Sequence, residues 1–79
     1  MVKYKVVKDC VCTKEILISK DSAVMMTGKL KKGDIVYFVK NDRRFKDHIY
    51  VRKKFEDGNV IYEVNKDYLE LEKWNWTIL

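Results

Sequence analysis

The chain has 79 residues, of which 47% are apolar, 13% aromatic and 37% charged, with three glycines and no proline. That length holds one small core, and the composition excludes a disordered chain, a linker-joined pair of domains and a low-complexity tail. The net charge of +5 is uneven: residues 40–54 carry seven basic and two acidic side chains, and residues 55–79 carry two basic and six acidic, which favours an acidic partner at one place on the molecule.

Val2, Tyr4 and Val6 alternate with Lys3 and Lys5, the period of a half-buried strand. The same lysines interrupt the apolar run that a signal peptide or membrane span needs, so a cytoplasmic protein with no membrane role is expected. "CVCTKEILIS" (10–19) continues in a β-rich composition. Lys20, Asp21 and Ser22 break the pattern, and "AVMM" (23–26) is expected in a single helical turn capped by Ser22 or in a long irregular loop. Gly28 and Gly33 then serve turns around Leu30.

A strand from Asp34 to about Lys40 places Ile35, Tyr37 and Val39 on one face and Val36 and Phe38 on the other, which suits the covered centre of a sheet. "NDRRFKDH" (41–48) ends it in a basic loop. "IYVRKKFEDGNVIYEV" (49–64) predicts a hairpin turning at Asp57-Gly58. In that register Arg52 faces Glu63 as a cross-strand ion pair, and Ile49, Val51, Phe55, Val60, Tyr62 and Val64 share one face. Tyr50 and Ile61 are left pointing outward, and with Tyr68 they form a candidate exposed patch unless the end of the chain covers it.

Asn65 and Asp67 favour a short turn before a strand with Leu69 and Leu71 on one side and Glu70 and Glu72 on the other. Trp74, Trp76 and Ile78 have the opposite parity, which predicts a bulge near Lys73 and an added strand or arm over residues 73–79. The elements add up to an all-β domain of five to six strands, in the form of a small barrel or two-layer sheet, filling residues 1–79.

"AVMMTGKLKKGDIVYFV" (23–39) resembles the stretch of bacterial SH3-type domains where a long loop runs into G-x-L-x-x-G-D and a strand. "YVRKKFEDGNVIYEV" (50–64) resembles their distal hairpin, and "VNKDYLEL" (64–71) resembles their 3₁₀ turn with a tyrosine before the last strand. The likeness covers about residues 7–72 and implies an SH3-like small barrel with Tyr68 at the groove. "ILISKDS" (16–22) lacks the Arg, Gly and Pro of the family's N-V-R-x-G-P stretch, and "HIYV" (48–51) stands where eukaryotic SH3 domains have a tryptophan. The cell-wall and polyproline signatures are therefore not carried over. In size and lysine content the chain is also similar to small SH3-like proteins of phages and prophages.

Cys10 and Cys12 lie on one strand face, too close for an unstrained disulfide. With His48 they still fall short of the four ligands of a structural zinc site. Two reduced thiols at the edge of the core are expected, with no metal and no cofactor. No Ser or Cys nucleophile has a base and orienting acid at a recognisable spacing, and no Gly-rich phosphate loop occurs, so the chain reads as a non-enzymatic binding module. The candidate site is the basic loop with neighbouring aromatics: Arg43, Arg44, Phe45, Lys46, Tyr50 and Tyr68. A protein partner is the first expectation, nucleic acid bound through residues 40–54 the second, and the chain is expected as a monomer or as a homodimer through its last strand.

Overall fold

Residues rich in Val, Ile, Tyr and Thr in alternating patterns fold as strands because a pleated backbone sends them by turns to the core and to solvent. A computed structural model describes residues 2–54 and 58–72. Seven strands run in chain order, β1 Lys3–Val6, β2 Cys10–Ser19, β3 Ser22–Leu30, β4 Ile35–Asn41, β5 His48–Lys53, β6 Val60–Asn65 and β7 Leu69–Leu71, with a 3₁₀ turn at Lys66–Tyr68. They form one open antiparallel sheet in the order β3-β2-β6-β5-β4-β1-β7. The protein is all-β. No helix among the described residues is long and apolar enough to cross a membrane.

The core lies on one face of this curved sheet. Val6, Leu30, Val36, Ile49, Val51, Val60, Tyr62 and Val64 are buried together, and Tyr4, Cys10, Cys12, Ile16, Phe38, Tyr68 and Leu69 pack around them. Tyr62 needs room, and Gly28 supplies it: a Cβ at position 28 would stand 2.9 Å from both the Tyr62 ring and the Lys14 Cβ. Gly28 thus sits within β3 as the floor under an aromatic ring, not in a turn. Gly33 does serve a turn, with φ of +96°.

Four expectations are corrected. Residues 23–26 are neither helix nor loop but the outer half of a long hairpin, in which β2 and β3 pair from Cys10 opposite Leu30 to Ser19 opposite Ser22. Apolar residues on both faces of "AVMM" hide the alternation that would have marked a strand. The centre of the sheet is β5, whereas β4 buries Val36 alone and leaves Val39 exposed.

The β5–β6 hairpin is paired two residues away from the expected register, with Ile49 opposite Val64, Tyr50 opposite Glu63 and Val51 opposite Tyr62. A slide of two keeps every side chain on its face, so hydrophobic patterning cannot detect it, whereas a slide of one would invert the hairpin. The Arg52–Glu63 pair therefore does not form. Ile61, expected outside, is buried beside Glu15 of β2, so Tyr50, Ile61 and Tyr68 do not form an exposed patch; the alternative, cover by the end of the chain, lies outside the described residues. Phe55 and Asp57, the bulge near Lys73 and the strand or dimer contact expected of residues 73–79 lie outside the described residues.

Candidate functional site

Residues 42–47 connect β4 to β5 and take their shape from Asp42. Its Oδ1 accepts the backbone N–H of Arg44 at 2.7 Å and of Phe45 at 3.3 Å, the local turn for which a short carboxylate is suited. The His48 N–H donates to the Phe45 carbonyl at 3.1 Å, and the Lys66 N–H donates to the Asp47 carbonyl at 2.7 Å, tying the loop to the 3₁₀ turn. The loop is built, not draped.

Under it lies Glu63, which β6 points away from the core and which is nevertheless nearly enclosed, with a side chain 10% exposed. Its Oε2 faces His48 Nδ1 at 2.8 Å, and its Oε1 faces Arg44 Nη2 at 3.6 Å and the Tyr50 hydroxyl at 3.4 Å. Arg44 also lies over the Phe45 ring at 5.6 Å, and Phe45 leans on His48 with ring centroids 5.2 Å apart. Arg44, Phe45, His48 and Glu63 thereby close a ring of contacts.

Asp42 adds a second carboxylate to the same place. It is 8% exposed, and its Oδ2 is buried with no hydrogen-bond partner among the described residues. The Arg44 backbone N–H holds the Asp42 carboxyl below its ordinary value, against the opposing effect of burial. Burial, followed by the negative charge of Glu63, raises the Tyr50 phenol above its ordinary value.

Beside this cluster a groove of about 500 Å³ runs between the base of the long hairpin and the 3₁₀ turn. Thr13, Met26 and Thr27 line one part of it, and His48, Glu63, Asn65 and Tyr68 another. Beyond the groove the hairpin projects. β2 pairs with β6 only from Thr13 to Ile16, so the residues from Leu17 through the turn extend past the neighbouring strand. Leu17 and Ile18 are exposed on this projecting part, and Val24, Met25 and Met26 on the edge strand just below it, Ile18 to 64% and Met25 to 60%. Residues 17–28 include only Lys20 and Asp21 as charges.

Three of the six candidate residues, Arg44, Phe45 and Tyr50, meet around Glu63 or on its ring of contacts. Arg43 and Lys46 stand exposed on the loop, with no partner among the described residues. Tyr68 is on the groove, with the Lys8 ammonium 5.7 Å from its ring.

Three further residues escape sequence reasoning. Asp42 was legible only as loop polarity, although Asp two residues before Arg44 is the spacing of the side-chain turn it makes. Glu63 was assigned to Arg52 by the displaced register. His48 stands out in the sequence only as a third ligand beside the cysteines. Cys10 and Cys12 are free thiols, half-buried against the core. Burial pushes the Cys12 thiol up to about 11, with Cys10 adding to the shift, and the Cys10 thiol is also raised, first by burial and then by Asp9.

Compared with known proteins, the chain matches no family model, no curated protein and no solved structure.

Proposed function

We propose that the protein is a non-enzymatic, cytoplasmic binding module that takes a protein partner along its projecting hairpin and the adjacent basic loop. The observation that carries this reading is the hairpin itself: five large apolar side chains exposed on one neutral arm whose outer strand, β3, is an edge of the sheet. An edge strand offers a row of backbone donors and acceptors, and the apolar side chains beside it give an incoming strand something to bury. The groove joins this arm to the loop, where Arg43, Lys46 and the 51% exposed Phe45 suit acidic and aromatic groups at the margin of the partner.

An SH3-like architecture belongs to the same proposal. It is supported by the order of strand, long hairpin, three-stranded meander, 3₁₀ turn and last strand, with β1 between β4 and β7. It is also supported by the 3₁₀ turn ending at Tyr68 and by the place of that residue on the groove.

Nucleic-acid binding is favoured by one observation, the Arg44 guanidinium stacked on an exposed Phe45 ring. The rest of the basic segment does not form one stripe: Lys53 lies over Tyr62 toward the core face, Lys40 lies over Tyr50, and Arg44 is engaged by Glu63.

A quantitative pull-down from lysate of the cells that express the protein, with three baits, tests the reading. Val24→Lys/Met25→Lys is expected to lose a partner that the wild type retains, and Arg43→Glu/Lys46→Glu to weaken it. Arg44 is left intact in the loop variant because its removal would disturb Glu63. Capture that is equal with all three baits removes the proposal. Binding to random RNA or DNA with a steep log-log salt slope installs the nucleic-acid reading in its place.

A further inference from the structure

We propose that Asp42, His48 and Glu63 form a binding site for a single divalent transition-metal cation, with zinc the best match to their donor atoms. The proposal goes beyond protein recognition and does not depend on it. A carboxylate oxygen of Asp42, one of Glu63 and a ring nitrogen of His48 all lie within 4.8 Å of one another. His48 opens β5, Glu63 lies within its partner strand β6, and Asp42 is in the loop between β4 and β5, so the fold itself brings the donors together.

A cluster of this kind on an open surface would mean little, because hydrated carboxylates need no ion. Here Asp42 is more than nine-tenths buried, and its Oδ2 is closed off from solvent without a hydrogen bond from any of the described residues. Enclosed, unpaired carboxylate oxygens are costly, and a cation is one of the few groups that relieve the cost. Arg44 adds favourable charge near Asp42 but pairs with the other carboxylate, its guanidinium being directed to Glu63 Oε1.

The donor set narrows the choice of ion. One imidazole with two carboxylates suits zinc or a neighbouring first-row cation, whereas calcium takes six to eight oxygens and copper(I) selects thiolates. Bonds of about 2.0–2.1 Å in a tetrahedral site place ligand atoms about 3.3 Å apart. His48 Nδ1 and Glu63 Oε2, now at 2.8 Å, would therefore part by only about 0.5 Å to admit the ion between them. A fourth, open position falls to water or to a group from outside. Arg44 and Tyr50, by holding Oε1 of Glu63, would orient the carboxylate as outer partners do in metal sites. In the sequence the C-x-C pair of Cys10 and Cys12 draws His48 toward a ligand set that falls short of a metal site. His48 lies instead beside two carboxylates, Glu63 from β6 and Asp42 from the loop before β5.

Calorimetric titration of the untagged protein with zinc alone, and separately with magnesium alone, tests the site. A single equivalent of zinc is expected to bind and magnesium is not. Asp42→Asn keeps Oδ1 as acceptor for the loop amides, and with His48→Gln and Glu63→Gln it should weaken zinc by about tenfold or more. Cys10→Ser/Cys12→Ser should leave it unchanged.

A second measurement needs no variant: manganese added to isotopically labelled wild-type protein should broaden the amide signals of residues 42, 48 and 63 first. No zinc binding, binding that survives all three ligand changes, binding lost in the cysteine variant, or broadening centred elsewhere would each overturn the proposal.

Discussion

Glu63 shows how much a single residue decides. Its carboxylate stands under the loop and receives His48, Arg44 and Tyr50 in a nearly enclosed position, so Glu63→Ala strands three polar groups at once. Leaving buried polar groups unmatched costs about 1–3 kcal/mol, and chemical denaturation should show a loss in that range. Gly28 is equally decisive for a different reason. Gly28→Ala forces a methyl against the Tyr62 ring and should cost about 1–3 kcal/mol of overpacking, seen as a melting temperature lower by at least about 4 °C.

Gly33→Ala meets no atom within 4 Å and should cost about 1 kcal/mol through its positive φ alone. Cys12 tests burial chemically. With its thiol raised to about 11, only about one part in a thousand is thiolate at pH 8, so disulfide reagents should modify it far more slowly than an open cysteine. Rapid labelling of Cys12 in the folded protein would contradict its packing against the core.

At the scale of elements, the strands at residues 3–6, 10–19, 35–41, 48–53, 60–65 and 69–71 were legible because their alternation or continuous apolar run matches a pleated sheet. The 3₁₀ turn at Lys66–Tyr68 also falls where the SH3-type resemblance put it, and Asn65 Oδ1 accepts the Asp67 N–H there at 2.8 Å. β3 was not legible. Alternation marks a strand with one wet and one dry face, and residues 22–27 are exposed on both, so apolar residues occur at successive positions. The β5–β6 register was hidden for another reason, since patterning has period two and the error was two.

The candidate site suffered from the same slide. Moving Glu63 from Arg52 to Tyr50 is what brings it to His48, Arg44 and Asp42. Because the Val24 and Met25 side chains are exposed on an edge strand, Val24→Lys/Met25→Lys should leave stability within about 0.5 kcal/mol of the wild type while removing apolar surface. Urea denaturation of this variant should overlay that of the wild type.

For the whole molecule, the sheet has two edges among the described residues, β3 and β7, and they differ in character. β7 is three residues long and includes Glu70, a short charged edge of the type that discourages pairing. β3 is nine residues long, with Lys29 its one charge, and nothing in its sequence guards it. The positive loop beside it sets the sign of the partner's margin, and the neutral arm sets its centre. That division predicts a modest salt dependence for binding, steered by Arg43 and Lys46 but not dominated by them.

Amide hydrogen exchange along residues 22–30, in the free protein and in complex with the captured partner, tests the use of this edge most directly. Alternate amides of β3, those that point away from β2, should exchange quickly in the free protein and become protected in the complex. Unchanged exchange along β3 on binding would contradict the account.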